Sequence, residues 1–158
     1  MSTEALITSM NNLLMLHKSL NELAIKKTDI IKTGDMEALD QMMKDEQKHV
    51  AAIGKWEEKR NSIVQAIVPD QPSPTLSDCL PAVSNEQQLR AMKDELIEIV
   101  EELKERNQMN QQLVYQSLQF VNMSLSLAKP QQASQNMNYV HPQAAKQKQS
   151  SGMFNSKV

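Results

Sequence analysis

Residues 85–129 read NEQQLRAMKDELIEIVEELKERNQMNQQLVYQSLQFVNMSLSLAK, with neither proline nor glycine. A proline inside a helix costs about 3 kcal/mol and a glycine about 1 kcal/mol. An uninterrupted stretch of this length therefore predicts one long helix. Its apolar residues recur at alternating steps of three and four: Leu89, Met92, Leu96, Ile99, Leu103, then Arg106 and Asn110, then Leu113, Ser117, Phe120, Ser124 and Leu127. That is the heptad seam of helices that pack along one another.

The rest of the chain is read by the same punctuation. All six prolines lie at 69, 72, 74, 81, 130 and 142, so residues 1–68 form a second proline-free region. Gly34 interrupts it in a position suited to end one helix, and Asp35 can cap the next. Three helices are expected, at about 3–32, 36–68 and 85–129, with 69–84 as a loop. Ser84 and Gln87 have the spacing of a capping box at the third start. The first stripe is Leu6, Met10, Leu13, His17, Leu20, Ala24, Lys27 and Ile31, widened by Leu14 and Leu23. The second is Leu39, Met42, Glu46, His49 or Val50, Ile53, Trp56, Arg60, Ile63 or Val64, and Ile67. The expected fold is all-α: three long helices in an antiparallel coiled-coil-like bundle over 1–129, and a flexible polar tail over 130–158.

Composition agrees. Of 158 residues only 3% are aromatic and 40% apolar, with 3 glycines and 11 methionines, a mixture of long helices and not of sheets. The net charge is −2, and the tail holds only Lys146, Lys148 and Lys157, so no field for nucleic acid is expected. The N-terminus lacks the basic start of a signal peptide, and no apolar run is long enough for a membrane span. Cys79 is the lone cysteine, which fits a reducing compartment, and is read as an inert thiol in a flexible loop. His17 and His49 fall on or beside seams and read as satisfied core or boundary residues; His141 lies in the tail. Glu37, Asp40, Asp45 and Glu46 read as a solvated face favouring the helix dipole. No motif for a metal, a cofactor or catalysis is present, so a non-enzyme is expected.

Lengths point to a surface. The first two helices are each about 45–50 Å long, and the third about 67 Å. The third reaches the Gly34 turn after about 30 residues, so residues 117–129 are expected to project beyond the bundle or bend over it. From Asn107 to Ala128 there is no charged residue, although Glu86 to Glu105 is densely acidic. Interface cores are depleted in charge, so this stretch is the candidate contact surface. Met109, Met123 and Met137 would add adaptable apolar contacts, whereas Met42 and Met92 read as core.

The chain resembles the FlgN family of flagellar export chaperones. The resemblance rests on Gly34-Asp35 after a long helix, then Leu39, Trp56, Glu57 and Arg60. It continues with Asn107-x-x-Asn110, Leu113 and the apolar run Leu118 to Leu127, and then Tyr139, Ser151, Met153, Phe154, Lys157 and Val158. The short aromatic-poor loop and Gln-rich tail look like the Gram-positive branch. The resemblance implies a cytoplasmic chaperone of the type III flagellar export system. Such a chaperone binds the C-terminal helical part of hook–filament junction proteins, FlgK-like and FlgL-like, prevents premature assembly, and brings them to the export gate. The partner-binding residues carried over are Asn107, Asn110, Leu113, Val114, Leu118, Phe120, Val121, Met123, Leu125 and Leu127, with Tyr139 and Phe154 in the tail. Asn110 has two open roles, partner contact or register within the bundle. Arg60 and Arg106 are expected to pair with carboxylates such as Glu46, Glu57 or Glu102. The competing reading is a self-associating coiled-coil structural or adaptor protein, a homodimer through the end of the third helix.

Overall fold

A computed structural model describes residues 2–128. Three long helices carry the fold: α1 over Ser2–Thr33, α2 over Met36–Ile67 and, beyond a short helix α3 at Leu76–Cys79, α4 over Glu86–Ala128. No strand occurs among the described residues. The predicted tail, 130–158, lies outside them.

The turn between α1 and α2 is built by two residues. Gly34 ends α1 at φ 74°, and its amide donates to the carbonyls of Ile30 and Ile31. Asp35 then accepts the Ala38 amide at 3.0 Å, capping α2. Nothing lies within 4 Å of where a Cβ on Gly34 would stand, so the demand for glycine is conformational and not steric. Gly34→Ala is expected to destabilise the fold by about 1 kcal/mol through the left-handed backbone alone. A urea melt showing no loss would contradict that.

Cross-helix bonds fix direction. Ser19 Oγ meets His49 Nε2 at 2.8 Å, and Lys27 Nζ donates to Glu46 Oε2 at 3.1 Å. Partner numbers fall along α2 as they rise along α1, so these two helices run oppositely where the bonds lie. Along α4 they rise together: Lys18 pairs with Glu95, Asn21 with Glu102, and Thr28 with Asn110. With Thr28 level with Asn110, Thr33 at the end of α1 stands about level with Tyr115.

The shared core contains Leu6, Met10, Leu13, Leu20, Ile53, Val64, Leu89, Leu96 and Leu103, all buried. Burying one such side chain contributes about 1.5–3 kcal/mol, and this is the main force holding α4 against its neighbours. Small polar residues also enter it. Ser9 and Thr28 of α1 are buried although the apolar stripe passes them by. His17 is buried with Nδ1 2.8 Å from the Leu13 carbonyl, as expected of a satisfied core histidine. His49 is half-buried, and its Nδ1 lies 2.8 Å from the Asp45 carbonyl. Glu46 is buried and bonded to Lys27, so it does not belong to the solvated face assigned to it and does not take an arginine.

Two further expectations are corrected. The 69–84 segment is not all loop: α3 is followed by a 3-10 turn at Leu80–Ala82. Leu76, Cys79, Leu80 and Val83 turn inward there, and Cys79 and Leu80 are fully or almost fully buried. The Cys79 thiol donates to the Leu76 carbonyl at 3.1 Å, and burial raises its pKa above the ordinary value. The thiol is thus inert through burial and not merely through a lack of partners. The second correction concerns capping. The Asn85 carbonyl accepts the first α4 amide, from Leu89, which leaves Ser84 one residue too early for a box with Gln87. A Thr75–Asp78 pair starts α3 instead: the Asp78 carboxylate accepts from Thr75 N at 2.7 Å and Oγ1 at 2.8 Å. Those bonds hold the Asp78 pKa below its usual value.

Candidate partner-binding surface

The chain divides into two compact units, one ending at Tyr115 and one beginning at Gln116. Within the first, α4 inserts Leu89, Met92, Leu96, Ile99, Val100, Leu103 and Asn110 into the core. Asn107, Leu113 and Val114 are half-buried.

Asn110 is committed inside this unit. It is 3% exposed; its Nδ2 donates to the Ala24 carbonyl at 2.9 Å, and its Oδ1 accepts from Thr28 Oγ1 at 2.6 Å. Thr28 also reaches the Ala24 carbonyl, at 3.2 Å. Of the two roles left open by the sequence, the geometry supports register. A buried amide that bonds at one level of α1 penalises any slip of α4 along it. Asn110 is therefore not part of the accessible surface, which corrects its place among the contact residues.

In the second unit the described residues are 116–128, and every one is exposed. Leu118 is 58% exposed, Phe120 69%, Val121 51%, Met123 59%, Leu125 61% and Leu127 77%. Single exposed apolar residues are ordinary, but six within ten positions are not. With no charge between Asn107 and Ala128, solvation of this helix end rests on Asn, Gln and Ser. The arrangement suits apolar contact with another protein and offers no acid–base chemistry. Tyr139 and Phe154 lie outside the described residues.

Tyr115, 63% exposed, also belongs to the charge-free stretch, and the seam-based reading passed over it because it stands off every seam. An aromatic ring with a polar tip is a common anchor at protein interfaces. Elsewhere in the first unit, Asn21, Ile25, Glu102, Glu105, Arg106 and Met109 line an open groove of about 290 Å³. Arg106 shares it with Glu102, whose carboxylate accepts from Asn21 at 3.4 Å. Among the described residues no three His, Cys, Asp or Glu side chains cluster to hold a metal ion, and no helix is long and apolar enough to cross a membrane.

The chain is similar to a curated Bacillus subtilis (strain 168) protein, "Uncharacterized protein YvyG", at 31% identity over 162 residues, covering 100% of both chains. No solved structure matches it. The model of the FlgN protein family matches residues 1–147, which takes in the core, the Asn107–Ala128 stretch and part of the tail. The chain belongs to the FlgN family, whose members are flagellar export chaperones.

Proposed function

We propose that this protein is a cytoplasmic type III export chaperone for hook–filament junction proteins of the FlgK and FlgL kind. It holds their C-terminal helical region, keeps them from assembling early, and delivers them to the export gate. The observation that carries this reading is the exposed, charge-free end of α4. Filament proteins polymerise through amphipathic terminal helices, and such a helix, kept from its own kind, needs an apolar face to lie on. The contact set is Leu113, Val114, Leu118, Phe120, Val121, Met123, Leu125 and Leu127, with Tyr115 added and Asn107 at its margin. Tyr139 and Phe154 are proposed tail contacts for the gate or the substrate. Ser117 and Ser124 interrupt the apolar run of the seam and limit affinity, as a chaperone that must release its cargo requires.

Calorimetric titration with a purified hook–filament junction protein tests this. Saturable binding by the full chain, retained by a 1–129 truncation, is expected. No heat with either form would remove the junction proteins as substrates. Loss on truncation would move the contact to the tail. A dimer whose formation buries residues 113–128 would favour the self-associating coiled coil.

A further inference from the structure

The width of the exposed apolar surface says more than its presence. Successive residues of a helix are turned by about 100°. In the first unit, the α4 residues buried from Leu89 to Asn110 all fall within an arc of about 100°, the usual width of a helix face turned to one core. The end of α4 follows a different pattern. Leu118, Val121 and Leu125 form one strip, at steps of three and four. Met123, Phe120 and Leu127 form another, centred about 160° away around the helix. Ser117 and Ser124, seven residues apart, lie between them on one side; Gln119, Asn122 and Ser126 fill the other. All six apolar residues are more than half exposed.

Two strips on nearly opposite sides cannot both face one partner helix, which covers only about 100°. We infer that the end of α4 is held between two helices of one export substrate, a helical hairpin and not a single strand of helix. This rests on the chaperone reading above and goes beyond it in naming what the substrate must present. The small serines between the strips allow the two partner helices to approach each other over that side. The polar side stays in water. A second copy of this chain fits less well: one α4 end laid against another covers one strip and leaves its opposite exposed. The lack of charge between Asn107 and Ala128 asks for partner faces that are likewise apolar and uncharged, because a buried charge there would find no counter-ion on this helix end.

Three double variants of the full chain test this against a purified junction protein by calorimetry. Leu118→Glu with Leu125→Glu breaks one strip, Phe120→Glu with Leu127→Glu breaks the other, and Asn122→Glu with Ser126→Glu loads the polar side with the same charge. Far-UV circular dichroism verifies that each remains helical, as expected of changes at exposed positions. Each strip variant is expected to lose at least tenfold in affinity, and the polar-side variant to stay within about twofold of the parent. Sensitivity of one strip alone would mean a single docked helix and would overturn the inference while leaving the chaperone reading intact. Equal loss in all three would reduce the effect to added charge and overturn it too. No binding by the unaltered chain would remove the chaperone reading, and this inference with it. A parent that is dimeric by mass, and becomes monomeric in either strip variant, would assign the strips to a second copy.

Discussion

Asn110→Asp is expected to destabilise the protein by about 3 kcal/mol at neutral pH, measured as a lower urea midpoint. The substitution keeps shape and volume, so packing is not the cause. The amide that donates to the Ala24 carbonyl becomes an oxygen facing an oxygen, and a charge is left where the residue is 3% exposed. The Thr28 hydroxyl still has acceptors, because Asp keeps an oxygen at the Oδ1 position and the Ala24 carbonyl is unchanged. Asn110→Leu separates the two roles of the position. It removes a polar group whose partners can satisfy each other, so stability is expected to change by less than about 1 kcal/mol. What it removes is the preference for one register of α4 on α1. An Asp variant as stable as the parent would mean that the site is wetter than its burial indicates.

Leu13→Ala is the second large effect, expected at about 3 kcal/mol. Leu13 is fully buried among Leu6, Met10 and the inward face of α4. Truncation removes three carbon atoms and leaves a cavity that long, rigid helices close only in part. Total stabilities of single domains are about 5–15 kcal/mol, so this one change is a large share. Leu118→Ala is the control, because the same chemistry at a 58% exposed position is expected to cost less than about 0.5 kcal/mol. If both variants lost equally, Leu118 would be packed, and the exposed surface proposed for substrates would not exist.

Much of this was legible in the chain itself because a few residues act locally. Prolines and Gly34 delimit helices whatever surrounds them, and Asp35 caps α2 through an amide three residues away. The residues of the Asn107–Ala128 stretch were legible for the same reason, since a missing charge needs no neighbour to be seen. What could not be read depends on partners distant in sequence. The burial of Cys79 and Leu80 follows from α3 meeting the core, and a proline-rich segment gives no warning of it. Glu46 looked solvated until Lys27, nineteen residues earlier, was found against it. Asn110 needed Thr28 and Ala24 to choose between its two roles.

The heptad seam holds from Leu89 to Asn110, where its apolar members are buried, and does not continue as a buried line beyond. A strict seven-residue repeat drifts by about 20° per heptad on a straight helix. Read as one seam, Leu113, Ser117, Phe120, Ser124 and Leu127 continue the line of Leu89 and Leu96. Around a regular helix that line turns away, and Val114, Leu118, Val121 and Leu125 form a strip of their own. The two strips that result were invisible in a linear count of threes and fours.

The central claim is that the end of α4 is where an export substrate is held. Hydrogen exchange of the full chain, with and without a purified hook–filament junction protein, tests it residue range by residue range. Amides from Leu113 to Ala128, on a helix end with exposed side chains, are expected to exchange quickly in the free protein and to become strongly protected in the complex, with the α1–α2 core little changed. Binding that leaves 113–128 unprotected, while protection appears elsewhere in the chain, would contradict the account.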